Sequence, residues 1–301
     1  MMNEHNNESA NHHSDNEENS TPETVIIMNC VLNAPLMLIS ILGNVLVLAA
    51  IIRTPSIRST HMIMLCSLAV SDLLVGLVAQ PIYIVEQLTE DRFVHHVSVI
   101  MGYSLCGVSF LTITAITVDR FLALHYHMRY ATLVTESRVK YTLIIIWLLS
   151  FLASGFYFWS SRVHSLLLGV STAIYFIIST FSYIRIYLIV RKHQSLIHIQ
   201  QQAVQSSNTG NNLNIARLKR SAFNIFLFYI VLIICYFPIH VILTVFATSG
   251  KDWQTEWNFA NTVVFMNSSI NPLLFCWRLR ELRIAVVKTA RQMLCKQRVQ
   301  N

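Results

Sequence analysis

Seven long apolar runs constrain what this chain can fold into. About 20 consecutive apolar residues make a helix long enough to cross a bilayer, and only helices and closed barrels satisfy every backbone hydrogen bond in lipid. The chain is 54% hydrophobic and only 12% charged, whereas soluble domains carry about 25% charged residues. We therefore predict an all-α membrane protein built as a seven-transmembrane-helix bundle. The predicted spans are residues 25–52, 59–88, 94–124, 139–159, 165–190, 220–248 and 257–277.

The basic residues predict how the chain is oriented in the membrane. Three of the 22 Lys and Arg residues, Arg92, Arg162 and Lys251, fall in one set of connecting segments, and the other 19 lie on or beside the opposite set. By the positive-inside rule the N-terminus is outside, and after seven spans the C-terminus is cytoplasmic. The net charge of +7 therefore describes a cytoplasmic face near anionic lipid, and no nucleic-acid partner is expected.

The chain divides into three predicted regions. Residues 1–24 are polar and acidic, and we expect a disordered extracellular tail without a cleavable signal peptide. Residues 25–277 form the membrane domain with the seven spans, and residues 278–301 form an amphipathic cytoplasmic helix and a short tail. Asn7 and Asn19 begin glycosylation patterns on the outer side. Cys295 is a palmitoylation candidate, and an ordinary reduced thiol is the alternative.

Charged residues inside the predicted spans have two interpretations each. Asp72 lies in the middle of a span, where an Asp costs about 2.5–3.5 kcal/mol, so it is either a protonated carboxyl satisfied by neighbouring helices or a cation-binding carboxylate. Asp119 and Arg120 lie near the end of the third span, where the arginine either anchors the helix end or takes part in a switch.

Pro238 and Pro272 predict kinks in the sixth and seventh spans, because proline removes a helix hydrogen bond.

These residues belong to five short sequences that together carry a family resemblance: Gly43-Asn44, Leu68-Ala69-Val70-Ser71-Asp72, Asp119-Arg120-Phe121, Cys235-Tyr236-Phe237-Pro238 and Asn271-Pro272-Leu273-Leu274-Phe275. With them, the chain from about residue 26 to residue 295 resembles the rhodopsin-like (class A) family of G-protein-coupled receptors. The resemblance implies a plasma-membrane receptor that binds an extracellular ligand and activates heterotrimeric G proteins. Enzymatic chemistry is not expected, since the sequence has no nucleophile elbow, phosphate loop or paired-carboxylate site.

The resemblance also implies two functional clusters. Receptors of this family hold a sodium ion with the second-helix Asp and with polar groups from the third and seventh helices, and oxygen ligands suit such a hard cation. By position the sodium ligands are Asp72, Ser109, Asn267, Ser268 and Asn271, with Asn44 bracing them, and no other cofactor is expected. The G-protein coupling and switch residues are Asp119, Arg120, Tyr183, Tyr236, Pro238, Asn271, Pro272 and Phe275.

The implied ligand pocket is mostly apolar, as ligand sites generally are. Its positions are Tyr83, Glu86, Gly102, Tyr103, Cys106, Ile239, His240, Leu243, Asn261 and Phe265. Gly102 stands where amine receptors of the family carry an Asp, so a small-molecule, lipid or peptide ligand is expected rather than a biogenic amine. His240 and Asn261 are the groups that we expect to orient the ligand.

Several departures from the family pattern favour one branch. His95 stands at the position of the usual third-helix cysteine, and the second outer loop is hardly more than residues 160–164; both resemble the melanocortin-like branch. Arg280 to Arg283 resembles the melanocortin and adenosine branches.

Leu218 stands where many members of the family carry an acid that restrains Arg120, so basal signalling is expected. Arrestin is a candidate partner through the inner-loop acceptors Ser195, Ser206, Ser207 and Thr209.

Two other classes of protein remain as alternatives. An ion-coupled transporter or channel would use Asp72 for ion passage, but it predicts repeated halves or broken helices, and the seven spans are unlike one another. A non-signalling membrane scaffold would not need Asp72 and Arg120 together. The sequence therefore favours the receptor.

Overall fold

The computed structural model describes residues 23–55, 59–89, 91–126, 129–203, 208–249 and 254–299, and the chain is mainly helical there. The second of the long helices, α2, changes to π-helical geometry at Val75–Ala79 and then continues. The helices are α1 (Glu23–Arg53), α2 (Thr60–Leu88), α3 (Arg92–Tyr126), α4 (Glu136–Gly155), α5 (Ser161–Ala203), α6 (Asn208–Ser249), α7 (Gln254–Arg278) and α8 (Arg280–Val299).

Six of these helices, α1 to α6, are long and apolar enough to cross a membrane within the described part of the chain. Helix α7 coincides with the seventh predicted span, but it is more polar than the others. Its polar side chains are mostly buried in the bundle, among them Asn258, Thr262 and Asn267. Because these groups face protein rather than lipid, their polarity is compatible with a seventh membrane helix, and the seven-helix bundle agrees with the prediction.

The connection between the fifth and sixth spans differs from the prediction. The predicted spans end at residue 190 and resume at residue 220, which leaves a polar connection between them. Helix α5 does continue to Ala203, but α6 already begins at Asn208. Hydrogen bonding along a helix satisfies the backbone whatever the side chains are, so polar composition alone did not mark the helix boundary here.

The helices pack in a ring around α3. Helix α3 contacts α2, α4, α5 and α7, while α1 packs against α2 and α7, and α6 packs between α5 and α7. Helices α1 and α7 approach closely at Gly43, where an added Cβ would lie 2.9 Å from the Pro272 ring. Glycine is therefore required at this crossing, since it brings two backbones together without a side chain.

A short helix and the terminal helix complete the cytoplasmic side of the predicted topology. Tyr130–Leu133 forms a single helical turn after α3. Helix α8 packs against α1, and Leu282 and Ala285 are buried in that contact, while Ile284 and Val287 are exposed.

Candidate functional site

A carboxylate lies inside the bundle where three helices meet. Asp72 on α2 is fully buried. Ser109 Oγ on α3 and Ser268 Oγ on α7 donate to its Oδ1 atom over 2.6 and 2.9 Å, and Asn271 Nδ2 donates to Oδ2 over 2.8 Å. Burial of an unpaired polar group is costly, so these three donors offset part of the cost and fix α2, α3 and α7 at one point.

Four of the five predicted sodium ligands thus meet, and Asn267 is the exception. Its Nδ2 atom donates to Tyr236 Oη over 3.4 Å, and Tyr236 Oη donates to the Cys106 carbonyl over 3.1 Å. Asn267 therefore links α7 to α6 and α3 beside the carboxylate. The side-chain oxygens of the other four residues are the ligand type that a hard cation prefers.

Helix α1 braces this cluster through backbone groups. Ser40 Oγ donates to the Asp72 carbonyl over 2.8 Å. Asn44 Nδ2 donates to the Ser40 carbonyl over 2.8 Å and to the Ser268 carbonyl over 3.2 Å. Since the Ser268 carbonyl belongs to α7, a shift of α7 against α1 would break the hydrogen bond that it accepts from Asn44.

A cavity of about 480 Å³ lies beside this cluster, in the half of the bundle that contains the beginning of α3. Its walls come from α2, α3, α4, α5, α6 and α7. No atom lies within 4 Å of the position where Gly102 would carry a Cβ, so this part of the wall is open. Nine of the ten predicted pocket residues line the cavity: Tyr83, Glu86, Gly102, Tyr103, Cys106, Ile239, Leu243, Asn261 and Phe265.

The tenth predicted pocket residue, His240, lies elsewhere, and this part of the prediction is corrected. Successive residues of an α-helix point about 100° apart. Because Ile239 faces the cavity, the His240 ring points toward α5, where its centroid lies 6.1 Å from that of Phe176. The wall of the cavity therefore contains Ile239 and not His240.

His95 makes a hydrogen-bonded junction at the rim of the cavity that the sequence did not predict. Its Nδ1 atom lies 2.6 Å from Glu86 Oε1, and its Nε2 atom lies 2.9 Å from Tyr157 Oη. The junction joins α2, α3 and the turn after α4 at the position where receptors of the family usually carry the third-helix cysteine. The sequence marked His95 as unusual, but its partners become neighbours only when the helices pack.

A second buried polar network joins α1, α2 and α7 near the cavity. Asn29 Nδ2 donates to Tyr83 Oη over 3.2 Å, and Thr262 Oγ1 donates to Asn29 Oδ1 over 2.8 Å. Asn33 Nδ2 donates to Thr262 Oγ1, also over 2.8 Å. A sequence signal existed, because polar residues of α1 recur at intervals of four, seven and four residues and so share one face. They are Asn29, Asn33, Ser40 and Asn44.

The Asp119–Arg120 pair lies at the far end of α3 from the cavity. Arg120 Nη2 and Nε donate to Asp119 Oδ2 over 2.7 and 3.1 Å, and Tyr130 Oη donates to Oδ1 over 2.6 Å. His61 Nδ1 lies 3.8 Å from the same carboxylate. Burial, together with the hydrogen bond to Asp119, raises the pKa of Tyr130 to about 12, so its hydroxyl stays a donor at physiological pH. The carboxylate therefore restrains Arg120 while it is itself held by the short helix.

A small space of about 20 Å³ lies next to Arg120, and two of the remaining predicted switch residues line it. Tyr183 and Phe275 line it, and Tyr183 Oη lies 3.2 Å from Thr117 Oγ1, where either hydroxyl can donate. Pro238 and Pro272 lie inside α6 and α7, and both helices continue past them.

Some predicted sites lie outside what the structure describes. Asn7 and Asn19 fall outside the described residues, and the side chains of Cys295 and Leu218 are not among those described. The glycosylation, palmitoylation and missing-restraint hypotheses stay predictions.

Comparison with known proteins gives a consistent result. Residues 43–165 match the 7 transmembrane receptor (rhodopsin family). Over 275 residues the chain is 26% identical to melanocortin receptor 3 of Rattus norvegicus, a match that covers 86% of this chain and 82% of that receptor. Over 275 residues it is 25% identical to melanocortin receptor 4 of Danio rerio, with 86% and 81% covered. Over 281 residues it is 27% identical to the histamine H2 receptor of Cavia porcellus, with 83% and 76% covered.

The family match covers α2 and α3, which carry Asp72 and the Asp119–Arg120 pair, and each receptor match covers more than four fifths of this chain. They agree with a multi-pass membrane receptor and exclude an enzyme. The chain is therefore similar to the rhodopsin-like (class A) family of G-protein-coupled receptors, and its pattern fits the melanocortin-like branch.

Proposed function

We propose that this receptor binds an extracellular small-molecule, lipid or peptide ligand in the 480 Å³ cavity and activates heterotrimeric G proteins through Arg120. The observation that carries this proposal is the position of Tyr236. Its side chain lines the cavity, donates to the Cys106 carbonyl and accepts from Asn267. Asn267 directly precedes Ser268, which donates to Asp72. One side chain therefore touches both the ligand space and the polar cluster.

A ligand that displaces Tyr236 would change contacts on both sides of the bundle. The residue precedes Pro238 by less than one helical turn, where α6 lacks a backbone hydrogen bond and bends most readily. A ligand shifts a conformational equilibrium only by its differential affinity for the two states. Contacts to Tyr236 provide such a difference, because its hydrogen bonds hold α3, α6 and α7 in the described arrangement.

A sodium ion bound at Asp72 is part of the same proposal. Asp72, Ser109, Ser268 and Asn271 supply the oxygen atoms, and the ion would favour the state in which α2, α3 and α7 converge on the carboxylate. Similarity to the receptor family favours this role over that of an ion-coupled transporter or channel.

The orientation of the chain leads to a prediction about labelling. With the N-terminus outside, an epitope tag at position 1 is expected to bind antibody on intact cells, whereas a tag after Asn301 is expected to bind only after permeabilisation. On α8, the exposed Ile284 and Val287 would then lie at the cytoplasmic lipid interface. The opposite labelling pattern would reject the orientation and the lipid contact together.

The cavity leads to a prediction about ligand potency. A ligand library is screened with a G-protein activation readout, and each agonist is tested on Asn261→Ala and His240→Ala. Because Asn261 lines the cavity and His240 does not, we expect Asn261→Ala to lower potency about threefold to tenfold, the effect of one lost hydrogen bond. His240→Ala is the matched control on the neighbouring helix. Agonists that depend on His240 and not on Asn261 would show that the cavity is not their site.

The hydrogen bond from Tyr130 leads to a prediction about basal signalling. Tyr130→Phe removes the 2.6 Å hydrogen bond to Asp119, which weakens the restraint on Arg120. A hydrogen bond to a charged group is worth about 1.5–3 kcal/mol, so basal nucleotide exchange is expected to rise at least severalfold. Tyr141→Phe, at an exposed position on α4, is the control. Equal basal activity of both variants at equal surface expression would contradict a restraining role for Tyr130.

A further inference from the structure

Three buried polar atoms line the ligand cavity without a hydrogen-bond partner among the described residues. They are Tyr103 Oη on α3, Ser150 Oγ on α4 and His164 Nε2 on α5. His164 is 2% exposed and Ser150 is 6% exposed. Leaving a buried polar group unpaired is costly, so what enters the cavity, water or a ligand, must supply their partners.

These three residues form one patch, which we call the α3–α5 patch. The Tyr103 and His164 rings meet edge to face with their centroids 5.3 Å apart. Ser150 Oγ lies 3.5 Å from the position of a Cβ at Gly107, which follows Tyr103 by one helical turn. The patch therefore lies on the side of α3 that faces α4 and α5.

The charges around the cavity restrict what the α3–α5 patch can bind. The cavity-lining residues include no Lys or Arg and one acid, Glu86, which pairs with His95 at 2.6 Å. An anionic ligand would lack a counter-ion, and the open wall at Gly102 provides no acid for an amine. A charge left unpaired in such a site is far more costly than a neutral polar group.

The donors and acceptors of the patch restrict the ligand further. Tyr and Ser hydroxyls each donate one hydrogen bond, and a neutral imidazole has one donor and one acceptor nitrogen. Three side chains that can all donate suit an oxygen acceptor. The surrounding wall is apolar and aromatic, with Phe110 and Trp257 among its residues.

We propose that the α3–α5 patch is the polar subsite of the cavity and binds the carbonyl or hydroxyl oxygen of a neutral, largely apolar ligand. The proposal rests on the proposed receptor function and names the ligand class of the same cavity. A volume of about 480 Å³ is in the range of small-molecule sites.

The first test needs no ligand and compares thermal unfolding of the purified full-length receptor. Tyr103→Phe removes an unpartnered hydroxyl, so the unfolding midpoint is expected to stay the same or rise. The control is Tyr83→Phe, which removes a hydroxyl that donates to the Asn258 carbonyl over 3.1 Å, and this midpoint is expected to fall. A Tyr103→Phe midpoint as low as that of Tyr83→Phe would show that the Tyr103 hydroxyl has a structural role and would overturn the proposal.

The second test uses four probes that have the same 18-carbon, singly unsaturated chain and differ in the head group. They are oleyl alcohol, oleamide, oleate and octadecene. We expect the alcohol and the amide to raise the unfolding midpoint of the wild-type receptor more than the carboxylate and the hydrocarbon do. In the Tyr103→Phe/His164→Phe variant this difference is expected to vanish, with apparent affinity for the alcohol about threefold to tenfold lower. Any one of four results would overturn the proposal. Octadecene could stabilise the receptor as much as the alcohol does, oleate could stabilise it most, or no probe could stabilise it. The difference between the probes could also be the same in the variant as in the wild type.

A third measurement separates failure of the subsite from failure of the receptor function. Nucleotide exchange on G proteins is measured with the wild-type receptor and without probe. If exchange is accelerated while the probes fail, only the subsite is wrong. If exchange is not accelerated, the proposed function is wrong whatever the probes do.

Discussion

Asp72→Asn is expected to abolish the effect of sodium on receptor activity. In the wild-type receptor, replacing potassium by sodium at constant ionic strength should lower basal nucleotide exchange, because the ion stabilises the conformation that binds it better. Asparagine keeps the size of the side chain but removes the negative charge that faces Ser109, Ser268 and Asn271. A single sodium ion then has only neutral oxygen ligands, and the sodium response should be lost completely.

The control for this experiment is Glu256→Gln, which removes an exposed acid at the opposite end of the bundle from Arg120. Its response to sodium should equal that of the wild type. Ser268→Ala should give an intermediate response, since it removes one oxygen ligand and one donor to Asp72. Sodium dependence that is unchanged in Asp72→Asn would reject the ion site and would favour the protonated, structural carboxyl.

Arg120→Ala is expected to reduce G-protein activation to the level of cells without the receptor. The guanidinium side chain is 29% exposed at the end of α3, whereas its partner Asp119 is 2% exposed. Release from Asp119 would expose an always-charged group with five donors at the surface that we propose as the contact to the G protein. No other basic side chain on α3 lies close enough to replace the Arg120 guanidinium, so the loss of G-protein activation should be close to complete.

The matched control is Arg53→Ala, an exposed arginine at the end of α1, which should leave activation unchanged. Surface labelling must be equal in all variants, because a folding defect would also lower the signal. Full activation by Arg120→Ala at normal surface level would show that this residue is an anchor at the helix end and not a contact to the G protein.

The sequence predicted the helices well because lipid leaves few alternatives. Long apolar runs must form helices in a bilayer, and positions on a helix are fixed by spacing from a neighbour such as Arg120 or Pro272. The resemblance to the receptor family implied a sodium site, and spacing from these two residues then gave Ser109, Ser268 and Asn271 as the positions beside Asp72. Helix α7 was recognised despite its polarity, since its buried Asn and Ser side chains belong to the same pattern.

Contacts between helices were less predictable, because they depend on rotation and on turns. A rotation of about 100° per residue separates Ile239 in the cavity from His240 against Phe176. Tyr130 reaches Asp119 only because a short helix after α3 turns back toward the bundle. His95 finds Glu86 and Tyr157, and Tyr103 finds His164, only after α2, α3 and α5 have packed. These pairs join different helices, so no characteristic spacing in the sequence could have predicted them.

The most direct test of the receptor function is nucleotide exchange by the purified full-length chain in lipid nanodiscs, with a panel of heterotrimeric G proteins and no added ligand. We expect at least one G protein to exchange nucleotide faster than with empty nanodiscs, and we expect Arg120→Ala to remove the acceleration. Wild-type exchange equal to that of empty nanodiscs for every G protein, with the receptor shown to be folded by its thermal unfolding transition, would contradict the account.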